Sequence, residues 1–178
     1  MPEGPIYSLD GITPKIAPDA FIAPTAAVIG DVEVGSESGI WFHCLVRGDM
    51  NFIRIGARTN IQDGAIIHVD SGAFSTTIGD DVTVGHNAVI HACTLKDRAF
   101  VGISATVLDG AVIDEGGMLG AGGLLTPGKV IGRNELWLGS PARLIRVLGD
   151  EERKKFDRNA EVYRALAAQF RAGLRSAA

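Results

Sequence analysis

Aliphatic residues return every six positions along most of this chain. The series runs Ile16, Ile22, Val28, Val34, Ile40 and Val46, resumes at Ile55, Ile61 and Ile67 and again at Ile78, Val84 and Ile90, and continues from Leu95 through Val101, Val107, Ile113, Leu119, Leu125 and Ile131. Small or polar residues such as Ala17-Pro18 and Gly35-Ser36 follow these positions. An even period preserves the in-and-out alternation of a strand, yet each unit is too short for a strand plus a hairpin. The economical solution is a coil of three short strands, eighteen residues around, stacked on the next coil. Such an internal repeat decides architecture before local propensity does. The expected fold is an all-β solenoid, a parallel β-helix over about residues 12–143, with backbone hydrogen bonds between coils. The pattern stops near Arg143, and Gly149-Asp150-Glu151-Glu152 reads as the start of a helix with an acidic first turn. That C-terminal α-helix, about 150–174, carries Phe156, Tyr163, Leu166, Phe170 and Leu174 on one face. The face is expected to pack along the solenoid or on a neighbouring subunit, and residues 1–178 are expected to form a single domain.

The ladder is interrupted twice, and the interruptions set the register. Val46 to Ile55 spans three residues more than the period allows, and Ile67 to Ile78 spans five more. Discounting them leaves eighteen residues, one full coil, from Val46 to Ile67 and from Ile67 to Ile90. Arg47, His68 and His91 each follow a ladder residue by one position, so all three should point outward from one face as a vertical stack. Neighbouring imidazoles one strand spacing apart can grip one ion at about 2.1 Å per bond. His86 follows Val84 by two, on the preceding side of the coil, with Gln62 and Asp63 one coil below it. It is too far around the prism to reach the other pair, but a neighbouring copy could present it about a threefold axis. The expectation is a homotrimer with one metal per interface. Zn²⁺ is the default for three imidazoles and an open position, and Fe²⁺ or Co²⁺ would also suit.

Other polar residues carry two readings each. Arg47 and Asp63 could form an ordinary surface pair, or a bidentate contact across the interface where their two sides meet. Asn60 and Gln62 flank inward Ile61; they either satisfy backbone at a wet surface or orient a metal-bound water and its target. His43, alone on its coil, reads as solvated surface.

Composition narrows the function classes. A net charge of −4 gives no basic footprint for nucleic acid, and no apolar run is long enough to span a bilayer. Met1-Pro2-Glu3-Gly4-Pro5 lacks the charged start and apolar stretch of a secretory signal, so a cytoplasmic protein is expected. Cys44 and Cys93 each precede a ladder position by two and read as buried thiols rather than a disulfide or metal site.

Several segments together resemble a known family: Arg47-Gly48-Asp49-Met50-Asn51, Thr59-Asn60-Ile61-Gln62-Asp63-Gly64 ending at His68, Gly85-His86 with His91 five later, and Leu136-Trp137-Leu138-Gly139-Ser140-Pro141-Ala142-Arg143. Over essentially its full length the chain resembles the γ-class carbonic anhydrases. The resemblance implies a left-handed β-helix of hexapeptide repeats, handedness coming from it alone. It also implies a trimer whose zinc is held by His68 and His91 of one subunit and His86 of the next. The implied chemistry is reversible hydration of CO₂ to bicarbonate, the metal lowering the pKa of a bound water to about 7 so that hydroxide attacks CO₂. By matching motif positions, Gln62 orients the hydroxide, Asn60 is a polar partner for substrate, and Arg47, Asp63 and Asp49 belong to the interface. Tyr163 resembles a tyrosine that homologues bring to the site, and it reads equally as a core aromatic of the helix face.

One departure bears on activity. The archetypal enzyme of that family carries glutamates for proton transfer in an acidic loop and near the first metal ligand. Here the first insertion is Met50-Asn51-Phe52, and the second, Val69 to Thr77, offers only Asp70. Two further classes therefore stand beside the anhydrase: a non-catalytic metal-bearing assembly protein, and a metal-dependent CoA-thioester hydrolase on the same fold. A hexapeptide acyltransferase fits less well, because the insertions are too short for a long acceptor-binding loop.

Overall fold

A computed structural model describes residues 4–176 as a left-handed parallel β-solenoid of about seven coils with a single C-terminal helix. Every ladder residue named above is buried except Ile16, which is half-buried. The stack Val28, Val46, Ile67, Ile90, Val107 and Leu125 runs in register from coil to coil and fills one side of the core. Burying each such side chain contributes about 1.5–3 kcal/mol.

The coils present three flat faces. The first holds Ile66–His68 and Val89–His91, continuing to Thr106–Val107 and Leu124–Leu125. The second holds Thr76–Ile78, Thr94–Leu95, Val112–Ile113 and Val130–Ile131. The third holds Gly39–Ile40, Asn60–Ile61, Thr83–Val84 and Phe100–Val101. The strand Leu45–Ile55 is long enough to turn a corner, pairing with Ile66–His68 on the first face and with Thr76–Ile78 on the second.

Both interruptions fall where the ladder arithmetic puts them. Gly30 pairs with Gly48 but Val32 with Ile53, so the extra residues bulge out around Met50. The second insertion lies between Ile66–His68 and Thr76–Ile78. Corners use the left-handed backbone region coil after coil, as at Glu37, Arg58, Asp81 and Arg98. His43 is such a corner (φ 61°), exposed as expected.

The solenoid extends beyond the hexapeptide pattern at both ends. Ile6–Tyr7 already pairs with Val28 and Ile29, before residue 12. At the far end Glu135–Gly139 and Ala142–Val147 form an antiparallel hairpin that the six-residue pattern cannot register. The helix, Asp150–Gly173, follows N-cap Gly149. It lies on the third face of its own chain, where Phe170 packs edge-on against Phe21, Trp41 and Phe42, Tyr163 against Trp41, and Phe156 against Phe100. Arginines tie down both ends. Buried Arg153 donates to the carbonyl of Gly116 at 2.6 Å and to Asp157 at 2.6 Å, and Arg171 donates to the carbonyls of Asp19 and Pro18. No helix among the described residues is long and apolar enough to cross a membrane.

Candidate metal centre

His68 and His91 are register partners on adjacent strands of the first face. Their facing ring nitrogens, His68 Nδ1 and His91 Nε2, are 3.2 Å apart. Each ring's other nitrogen meets a carboxylate: His68 Nε2 lies 3.0 Å from Asp49 Oδ1, and His91 Nδ1 lies 2.5 Å from Asp109 Oδ1. An ionised carboxylate only accepts, so the ring N–H of each neutral imidazole belongs on the carboxylate side. The two nitrogens that face each other then both present lone pairs. Two lone pairs at this separation repel unless a positive charge lies between them. Two corners of a tetrahedral zinc site, with bonds of about 2.0–2.1 Å, put ligand nitrogens roughly 3.3–3.4 Å apart, so the observed spacing fits.

His86 lies in the turn that leaves the third face, between Thr83–Val84 and Val89–His91, and stacks over Asp63, since Val84 pairs with Ile61. Asp63 Oδ2 lies 3.0 Å from His86 Nδ1, and the Tyr163 hydroxyl lies 3.3 Å from His86 Nε2. The helix thus delivers Tyr163 both to the aromatic cluster and to His86, so the two readings of this residue describe one position. Burial, and secondarily the charge of Asp63, pushes the Tyr163 phenol up, so it stays an O–H donor. Among the described residues of one chain, no three His, Cys, Asp or Glu side chains close around a common point. His68 and His91 converge; His86 does not join them.

Asn60 and Gln62 do not lie at a wet surface. They project outward from the solenoid but are only 2% and 4% exposed, on the face that carries the helix. Asn60 donates to Thr83 Oγ1 at 2.9 Å and to the Val82 carbonyl, while its Oδ1 accepts from Gln62 Nε2 at 3.1 Å. Both ends of Asn60 are therefore used within the chain, and Gln62 keeps Oε1. The turn after them needs glycine: Gly64 has φ +74°, and a Cβ there would sit 2.2 Å from Asn87 Oδ1.

Arg47 pairs with Asp49 inside the chain, not with Asp63, whose near neighbour is His86. Burial works to raise Asp49, but the hydrogen bond from His68, its own backbone and the Arg47 charge outweigh it and hold the carboxyl below its ordinary range. Cys44 and Cys93 are buried, free and remote from ligand duty; desolvation pushes the Cys44 thiol up to about 12 and Cys93 still higher. Asp109 escaped the sequence reading. Its signal was there, since it follows Val107, the register partner of Ile90, by two, one position beyond the residue stacked on His91.

A hexapeptide solenoid that carries a carboxylate-anchored pair of histidines and a third anchored histidine narrows the class of protein further than the fold alone. Comparison with known proteins agrees. The Geobacillus kaustophilus protein described as carbonic anhydrase is 40% identical over 171 residues, covering 92% of this chain and 93% of that one. Gamma carbonic anhydrase 1, mitochondrial, from Arabidopsis thaliana is 45% identical over 159 residues, 86% of this chain. This chain spans only 58% of that plant relative's length. A solved hexapeptide transferase family protein from Anaplasma phagocytophilum superposes with a TM-score of 0.89 at 42% identity, covering 96% of this chain and 98% of that one. No protein-family model matches the chain. The chain belongs to the γ-class carbonic anhydrase family.

Proposed function

We propose that this protein catalyses the reversible hydration of CO₂ to bicarbonate at a Zn²⁺ ion held by His68 and His91 of one subunit and His86 of the next in a homotrimer. The observation that carries the reading is the pair of facing imidazole nitrogens, 3.2 Å apart, each with its opposite nitrogen on a carboxylate. When bound, the cation supplies a Lewis acid that makes a coordinated water acidic enough to ionise near neutral pH.

The protein's own groups do the rest. Asn60 holds the amide of Gln62 by accepting from its Nε2, so Gln62 Oε1 is fixed as an acceptor that can orient a water hydrogen. Asn60 thereby acts on substrate through Gln62 rather than by direct contact. Asp63 holds His86 Nδ1, and the Tyr163 hydroxyl stands beside Nε2, the nitrogen offered to a neighbouring subunit. Arg47, half-exposed and paired with Asp49, has further N–H donors with which to reach Asp63 of the next subunit.

A surface for that subunit runs beside the histidines. Ala27, Leu45, Ile66 and Val89 form an outward column in strand register, with Ile66 42% exposed, and a second prism laid on this face would bury it.

Stopped-flow CO₂ hydration on protein of measured zinc content, with His91→Ala as control, tests the reading. Hydration well above the buffer rate that vanishes in the variant is expected. A fully metallated trimer with no hydration would point to an assembly role, or to a thioester as substrate, which an acyl-CoA assay resolves.

A further inference from the structure

We propose that Asp109 is a positioning residue for the metal site: its carboxylate holds the His91 Nδ1–H and so aims Nε2 at the cation. The inference rests on the proposed metal reading and adds a residue to it. His91 Nδ1 lies 2.5 Å from Asp109 Oδ1, and among the described residues His91 is the only charged or titratable side chain paired with Asp109. Asp49, by contrast, divides its carboxylate between His68 and Arg47.

The turn that carries Asp109 is held from both neighbouring coils. The Gly110 N–H donates to the Ala92 carbonyl at 2.8 Å, and the Asp109 carbonyl accepts from the Gly128 N–H at 2.9 Å. Gly110 has φ +66°, and the Phe74 ring covers it so closely that a Cβ there would lie 3.1 Å from ring carbons. Phe74 belongs to the second insertion. That insertion, poor in carboxylates, is thereby connected to His91 by packing: Phe74 braces the turn, the turn presents Asp109, and Asp109 orients the imidazole. A free imidazole can rotate about χ2 and exchange tautomers; a carboxylate fixed on one nitrogen removes both freedoms.

Zinc affinity, measured by competition with a chromophoric chelator on the assembled protein, tests the assignment. Asp109→Ala is expected to weaken binding by about 10- to 100-fold, and Asp109→Asn, still an acceptor, by less. Asp114→Ala, which removes a carboxylate bonded to Lys96 on the second face, should leave affinity unchanged. In the zinc-loaded protein the downfield proton resonance of the His91 Nδ1–H should be present in the parent and lost in Asp109→Ala. Unchanged affinity and an unchanged resonance in Asp109→Ala overturn the assignment while leaving the metal site standing. A parent protein that binds no zinc overturns both. Should Asp109→Ala fail to assemble, Asp109→Asn decides, because identical affinity and an unshifted resonance in that isosteric variant also refute the role.

Discussion

If the metal site is split between chains, two inactive proteins should restore each other in a fixed proportion. His68→Ala removes a ligand from the first face, and His86→Ala one from the third. Each homotrimer then lacks one ligand at all of its interfaces. In a mixed ring, an interface is intact only where a subunit with native His68 meets a next subunit with native His86. For equal amounts and random reassembly that holds at about one interface in four. Zinc should therefore return to roughly a quarter of the parent stoichiometry, and hydration with it, after the two proteins are dissociated together and reassembled. The assay is metal content per chain after removal of loose zinc, alongside the CO₂ hydration rate. Parent subunits carrying a mass label serve as proof of exchange. The result that refutes the reasoning is proven exchange with no recovered metal. Recovery near half of the parent level would refute it as well, because an equal mixture gives that value when one of the two histidines is not a ligand.

Three other expectations follow from the structure. Arg153→Ala removes charge-assisted hydrogen bonds and leaves the Gly116 carbonyl without its partner, so chemical denaturation should show a loss of about 2–4 kcal/mol, more than Arg153→Lys; a loss under about 0.5 kcal/mol would mean that the arginine does not anchor the helix. With the Cys44 pKa pushed up to about 12 and Cys93 higher, only about 10⁻⁴ of Cys44 is thiolate near pH 8, and native protein should resist alkylation until it is unfolded; because the folded state keeps protons that the unfolded chain releases above about 8.5, these thiols lower stability as pH rises past that point. Asp70, the single carboxylate of the second insertion, accepts from the Gly72 N–H at 3.2 Å and the first insertion has none, so the hydration rate should rise with buffer concentration at fixed pH; a rate independent of buffer would reveal a proton carrier within the protein.

The six-residue ladder made the solenoid, its core and both insertions legible, because a period of six leaves one way to alternate faces and one way to stack coils. The Val46, Ile67 and Ile90 register followed from counting, and it aligned His68 with His91 correctly. Side-chain partners were less legible. The faces that Arg47 and Asp63 occupy suggest a contact between subunits, whereas within the chain Arg47 pairs with Asp49, two residues along the same strand, a partner that face assignment alone does not reveal. Asn60 and Gln62 were correctly directed outward, yet outward from the solenoid did not mean exposed, because a helix that begins about ninety residues later in the sequence lies on that face. The hairpin at Glu135–Gly139 and Ala142–Val147 broke the period and so left no trace in it. Asp109 was missed for a different reason. His91 follows its inward residue by one and was matched only with residues that do the same, whereas Asp109 reaches back to it from a corner, two positions after Val107.

The geometry of a prism explains why such a site should be shared. Outward side chains on two faces of one prism diverge, so residues on the first and third faces cannot meet at a point outside their own chain. They converge only when the first face of one copy meets the third face of another. That contact is heterologous, and repeated about an axis it closes into a ring. A cation bridging it binds the assembled form and not the separated chain, and by linkage whatever favours the cation favours the ring to the same extent. Asp49, Asp63 and Asp109 each hold one ring nitrogen of the three histidines before any subunit contact is made. In the proposed trimer each half of the site would therefore be held in advance, and association would supply the missing donor.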